Sequence, residues 1–173
     1  MTVSHQLRIL GIDPALRCTG YGILDTDPTA VRAIDCGVIR TPPKQPLSEC
    51  LRRLAGGIAE LIGSYRPDVL VLEGGFYSRN ARTAMVLGCA RGVVIAGAAT
   101  HDLPVYEYAP RRVKQAVCGY GNADKKQVAS ILCQLTGLNP EQLVSDATDA
   151  LAVAFCHNNT CRTNQGIFLP LPI

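Results

Sequence analysis

The sequence predicts an α/β fold: five strands in one mixed sheet, with helices on both faces. Three observations predict it. Two short apolar runs, residues 7–12 and 69–72, each end in a single acid, Asp13 and Glu73, as buried strands that reach a functional sheet edge do. Between them lie two further strand-like runs separated by Gly and Asp/Pro turn signals. After them, helical periods alternate with one more short strand, the pattern that covers a sheet on both sides.

The elements follow in order. Residues 7–12 form the first strand, 20–24 the second and 31–40 the third. Pro42, Pro43 and Pro46 break the chain, and Leu51, Leu54, Ile58, Leu61 and Ile62 then fall at helical spacing within 47–65, a helix that Pro67 stops. Residues 69–72 are the fourth strand and 79–100 a long helix. Residues 104–108 are a short fifth strand, and Pro110 sits at the first turn of a helix ending near Cys118. Helices over 124–135 and 145–157 complete the expected domain, 1–157, with Ser145 as the N-cap of the last. The tail 158–173 shows no period, and Gly166, Pro170 and Pro172 resist regular structure.

Composition is that of an ordinary globular protein, with 47% hydrophobic residues and no Trp. The longest small-apolar run, 92–99, is too short for a bilayer, and the first residues lack a signal-peptide stretch, so the expected location is cytoplasmic with no membrane partner. Eight cysteines include no C-x-x-C pair and are read as reduced, mostly buried thiols. The one metal-like cluster, Cys156, His157 and Cys161, lacks a second ligand pair and reads as packing. The net charge is +3, yet residues 79–126 carry eight basic side chains against three acids, so 8 − 3 = +5. That fits a polyanionic partner, or else a solvated charged surface.

Four carboxylates carry the chemistry. Asp13 and Glu73 reach one sheet edge if their strands are parallel neighbours; a buried carboxylate there needs a cation or hydrogen bonds. Asp146 and Asp149 are three apart, so they share a helix face roughly 5–6 Å apart at Cβ. Acids at a helix start are often simple dipole partners, but these two sit among Ala147, Ala150, Leu151 and Val153, which favours a metal. Hard oxygen donors select Mg²⁺, with Mn²⁺ as a substitute. Four of them can hold two ions about 4 Å apart, an arrangement that hydrolyses phosphodiesters. With only His5, His101 and His157, imidazole chemistry has few candidates.

Several segments are specific. They are Ile9-Leu-Gly-Ile-Asp-Pro, Thr19-Gly-Tyr-Gly, Val71-Leu-Glu-Gly-Gly-Phe, Leu87-Gly-Cys-Ala-Arg-Gly, Gly119-Tyr-Gly-Asn-Ala-Asp-Lys-Lys-Gln-Val and Asp146-Ala-Thr-Asp-Ala-Leu-Ala. Together the chain resembles the RuvC family of Holliday-junction resolvases over residues 7–157. The resemblance implies an RNase H-like fold, a homodimer that nicks a four-way DNA junction in pairs, and partnership with a branch-migration helicase complex. It implies that Asp13, Glu73, Asp146 and Asp149 hold two metal ions, that Lys114 and Lys125 lie near the scissile phosphate, and that Phe76 stacks at the opened junction. Two departures stand out: Ala15 replaces the family's usual Gly, and Gly74-Gly75 follow Glu73 where bulkier residues are common.

The supporting residues keep two readings each. Lys125, in a first helical turn, is either a solvated lysine or a phosphate ligand. Lys114, Arg111, Arg112 and Lys126 are DNA contacts or a charge run; Arg79 and Arg82 are phosphate contacts or an exposed helix face. Phe76 is a core plug or a base-stacking platform, a contact that contributes about 1–3 kcal/mol where it occurs. Gly88, Gly92 and Ala96, four residues apart, pack inside one subunit or form the dimer interface. Two further function classes compete with the nuclease: a non-catalytic DNA-binding module, against which all four acids argue, and an actin-like ATPase, for which the chain lacks a second lobe and phosphate loop.

Overall fold

A computed structural model describes residues 6–27, 29–74, 80–139, 144–164 and 170–173. Strands β1 (Leu7–Asp13), β2 (Cys18–Thr26), β3 (Val31–Arg40), β4 (Val69–Glu73) and β5 (Val105–Tyr108) form one sheet in the order β3-β2-β1-β4-β5. β1, β2 and β3 are an antiparallel meander, whereas β4 pairs parallel with β1 and β5 parallel with β4. Parallel pairing needs crossovers, which are α1 (Leu47–Tyr65) and α2 (Ala81–Ala99). Helices α3 (Pro110–Cys118), α4 (Lys125–Thr136) and α5 (Ser145–Asn164) follow.

Strand alternation divides the core in two. Leu10, Ile12, Leu70 and Leu72 face α1 and α2, meeting Leu54, Ile58, Ala90, Val94 and Ala98. Ile9, Val69 and Val71 face the other way, onto Val113 and Val117 of α3, Val128 and Leu132 of α4, and Leu151–Cys156 of α5. Asp13 and Glu73 share the parity of this second set, so both carboxylates project on the α5 side.

α5 lies unusually close to the sheet because two glycines make room. A Cβ on Gly11 would stand 2.0 Å from the Ala150 carbonyl oxygen, and one on Gly20 1.9 Å from that of Asp146. Any other residue at either position would lift the helix and the acids it carries.

Several expectations are corrected. Helix α5 continues past His157 to Asn164. Its polar extension is held by burial and by bonds that propensity does not capture: Asn158 and Thr160 are buried, Thr160 donates to Cys156 O at 2.9 Å, and Asn159 donates to Ala116 O at 2.9 Å. Ser145 is helical rather than the cap, and the Val144 carbonyl accepts the Thr148 amide. Asn80 and Asp124 are N-caps, the latter in a reciprocal capping box with Gln127. The cysteines are free thiols, but only Cys50, Cys133 and Cys156 are buried and Cys89 is exposed. By length and composition, α2 falls among helices able to cross a membrane. Here it forms an outer layer, with Ala90, Val94 and Ala98 on the core and Met85 exposed.

Candidate active site

The site lies at the carboxyl ends of β1 and β4. Ile12 and Leu72 are register partners, so the next residues along, Asp13 and Glu73, end adjacent parallel strands side by side. Gly20 is the partner of Asp13 across β2, and the start of α5 rests on Gly20. Asp13, Glu73 and Asp149 line one pocket of ≈ 170 Å³ with Lys114 of α3 and Lys125 of α4; Pro110, Val113, Val128 and Ala152 form its apolar wall.

The electrostatics are those of crowded acids. Burial pushes the Asp13 carboxyl up to about 6, and the neighbouring charges of Asp149 and Asp146 push the same way, with partial relief from Lys125. Burial also raises Glu73, again with Asp13 and Asp149 adding to it and Lys125 and Lys114 easing it. Lys125 Nζ donates to Asp149 Oδ2 at 2.6 Å, and that bond holds the lysine's pKa above its ordinary value. Asp146 stands one strand further out and does not line the pocket; its charge acts on Asp13, and burial raises the Cys18 thiol with a side-chain hydrogen bond to Asp146 adding to it.

The residues fit a hard divalent cation in kind: every donor is a carboxylate oxygen, and their mutual repulsion is what an added cation would relieve. Among the described residues, however, no three such side chains stand close enough to grip one ion as placed. The cation bonded to Asp149 is the chain's own ammonium.

The other expected residues scatter around this pocket. Lys126 joins Lys125, Ser145, Thr148 and Asp149 along an adjoining groove. Arg111 is exposed and its stem lies over Gly121, whose Cβ would meet Arg111 Cγ at 2.4 Å. Arg112 turns to α5, donating to Thr160 at 3.3 Å with its guanidinium 5.6 Å from the Tyr108 ring centroid. Arg82 is exposed on α2. Phe76, Arg79 and Gly75 lie outside the described residues.

Sequence reasoning missed Arg91. It donates to the Glu73 backbone carbonyl at 3.2 Å and pairs with Glu107, thereby fixing the end of β4. Gly74 makes this possible, since its Cβ would fall 2.2 Å from Glu107 Oε1. The Gly74 departure is thus tied to an ion pair, while Ala15 lies outside the positive-φ residues and costs the turn nothing. Its amide and carbonyl both bond the Thr19 hydroxyl, at 3.2 and 2.5 Å. The signal for Arg91 was a lone base at a mid-helix position, which spacing cannot separate from a surface arginine.

The family model for "Crossover junction endodeoxyribonuclease RuvC" matches residues 9–157. The chain belongs to the RuvC family. A RuvC of Vibrio vulnificus (strain YJ016) is 46% identical over 155 residues, covering 90% of this chain and 88% of the relative. One of Halorhodospira halophila is 48% identical over 150 residues, covering 87% and 89%. Among solved structures, Thermus thermophilus RuvC in complex with Holliday junction substrate superposes with a TM-score of 0.87 at 30% identity, covering 96% of this chain and 99% of that one. The yeast mitochondrial Holliday junction resolvase Ydc2, at 14% identity and a TM-score of 0.66 over 94% of this chain and 85% of its own, shares the fold. The RNase H-like architecture expected from the sequence is therefore the one observed.

Proposed function

We propose that this chain is a structure-selective endonuclease that resolves four-way DNA junctions by paired, symmetric phosphodiester hydrolysis, in recombination and repair. One observation carries the reading. Acids from β1, β4 and α5, far apart in sequence, meet in one pocket with two lysines from α3 and α4. Family membership names the reaction, and the Thermus relative's junction complex names the substrate class.

Asp13, Glu73 and Asp149, with Asp146 beside them, would hold two Mg²⁺ ions, or Mn²⁺ in their place. Such ions supply an activated water and a counter-charge for the leaving oxygen. Asp13 and Glu73, fixed on strand ends, set the position of the reacting phosphate relative to the sheet. Lys125 and Lys114 neutralise that phosphate from the opposite wall. Lys126, Arg111, Arg112, Arg79 and Arg82 are assigned to the DNA backbone beyond the scissile bond, and Phe76 to stacking on a junction base.

A second copy completes the reading. Gly88, Gly92 and Ala96 form an exposed row on α2, and among the described residues a Cβ on either glycine would meet nothing within 4 Å, which leaves the row open to a partner. A two-fold partner there would set two pockets against two strands of a two-fold substrate. One domain, with α5 carried through to Asn164, suffices for this chemistry. The cytoplasm is its place of work, with a branch-migration helicase complex as further partner.

The test is cleavage of a mobile four-way junction with and without Mg²⁺, mapped to the nucleotide. Paired symmetric nicks that need the metal are expected, and Asp146→Asn should abolish them while junction binding survives. Binding without metal-dependent nicking by the unaltered protein would leave a DNA-binding module instead.

A further inference from the structure

Lys125 occupies an odd position for a residue meant to meet a phosphate. Its ammonium already has an anion, Asp149, at 2.6 Å. Asp149 is also one of three carboxylates lining the pocket, and among the described residues no three such side chains are grouped closely enough to share one ion. The two facts have one cause if the lysine holds the carboxylate away from the ion's position.

We propose that Lys125 is the resident counter-ion of this pocket and competes with the divalent cation for Asp149, so that full metal ligation requires the lysine to leave. This rests on the nuclease reading above. The backbone around Lys125 is fixed by the Asp124–Gln127 capping box, but its side chain is 72% exposed, so the ammonium can swing away without disturbing α4. Asp149 is the less mobile partner, only 20% exposed on a helix seated against Gly11 and Gly20. The helix dipole opposes a cation in the first turn of α4, so the bond to Asp149, with the charges of Asp13 and Glu73 behind it, is what retains the ammonium there. A divalent ion interacts with each carboxylate about twice as strongly at equal distance. The competition keeps the pocket weakly loaded until a phosphate takes the ammonium instead.

The experiment is calorimetric titration of Mn²⁺ into the DNA-free protein and its Lys125→Met, Lys125→Gln and Lys114→Met variants, alongside junction nicking by the unaltered protein. Lys125→Met and Lys125→Gln should each bind Mn²⁺ about tenfold more tightly, the sum of a removed competitor and a removed positive charge. Lys114→Met removes the same charge from the same pocket but not the bond to Asp149, so its gain should be clearly smaller. Adding Asp149→Asn to Lys125→Met should erase the extra gain. If the unaltered protein binds Mn²⁺ and nicks junctions yet the Lys125 variants bind no more tightly than Lys114→Met, the competition is overturned and the nuclease reading stands. If the unaltered protein neither binds Mn²⁺ nor nicks, the nuclease reading falls and takes this proposal with it.

Discussion

The two ends of β1 each carry a charge, and they treat it in opposite ways. At the amino end Arg8 grips Asp25 with two bonds, Nε to Oδ1 at 2.6 Å and a terminal nitrogen to Oδ2 at 2.7 Å, and spends another donor on the Tyr65 carbonyl at 2.7 Å. That guanidinium holds the Asp25 carboxyl below its usual range. At the carboxyl end Asp13 is half-buried beside other acids and held up at about 6. Same strand, same sheet: what differs is how far the fold takes the charge from solvent and whether it brings a partner. A paired charge fixes the edge of the meander. An under-compensated one stores repulsion that a bound cation can release, and that contrast supports the carboxyl end of the strand as the proposed site.

Asp13→Asn should break the comparison most visibly. Junction cleavage is expected to fall by roughly three orders of magnitude or more, the several kcal/mol that a metal-held phosphoryl centre supplies. The metal-free protein should nonetheless become more stable, by about 1–3 kcal/mol, because the substitution removes a desolvated, repelled charge. Single-turnover rates and urea unfolding without metal measure the two effects. A stability loss would mean that Asp13 is a structural residue.

Arg91→Ala comes next. It frees the Glu73 carbonyl and leaves Glu107 without its cation, so Glu73 loses its fixed direction. Cleavage should slow about 10- to 100-fold, mainly through a higher metal requirement, with junction affinity little changed. Arg91→Lys should restore part of the rate, which a purely destabilising change would not allow. Metal-dependence curves for the two variants decide this.

Asp25→Asn is the matched control at the other end. Unfolding stability should drop by about 1–2 kcal/mol, since solvent reaches Arg8 and screens the pair. The cleavage rate should be unaltered. A cleavage defect as large as that of Asp13→Asn would erase the distinction between the two ends.

How much of this was legible beforehand follows the same division. Strand ends at Asp13 and Glu73 could be read from apolar runs, and helix positions from period, because both are local patterns of burial. The capping residues Asn80 and Asp124 came within one residue of the expected starts for the same reason. What escaped was whatever depends on a partner distant in sequence: Arg91 reaching Glu73 and Glu107, Lys125 bonding Asp149, and the polar turns after His157 made helical by burial against α3. Gly11 and Gly20 stood inside recognisable segments, yet spacing could not reveal that each seats a carbonyl of α5. Periodicity reports which face is buried; it does not report what lies opposite.

His157 shows a third way of handling an ionisable group, and it supplies the smallest but cleanest test. It is 2% exposed on α5, its Nδ1 is 2.9 Å from the Tyr108 hydroxyl, and the Tyr106 ring lies 4.6 Å away. Burial pulls its pKa down to about 4, so the fold neither pairs this charge nor tolerates it but discharges it. The sign follows. Between about 6.5 and 4 the unfolded chain binds the proton and the folded one does not, so this residue's contribution is intact above 6.5 and is lost as pH falls toward 4. Between pH 6.5 and 5 the loss should be about 2 kcal/mol. Asp13 works in the opposite sense over part of this range, because a raised carboxyl favours folding as pH falls through 6. The informative quantity is therefore the difference between the unaltered protein and His157→Gln, which keeps a polar partner for Tyr108 but cannot titrate. His157→Gln should be less stable at pH 7.5 and should lose this part of the acid slope, as urea midpoints at pH 7.5, 6 and 5 would show. Parallel slopes in the two proteins would mean that His157 is protonated inside the fold, and that α5 carries a buried charge in its interior.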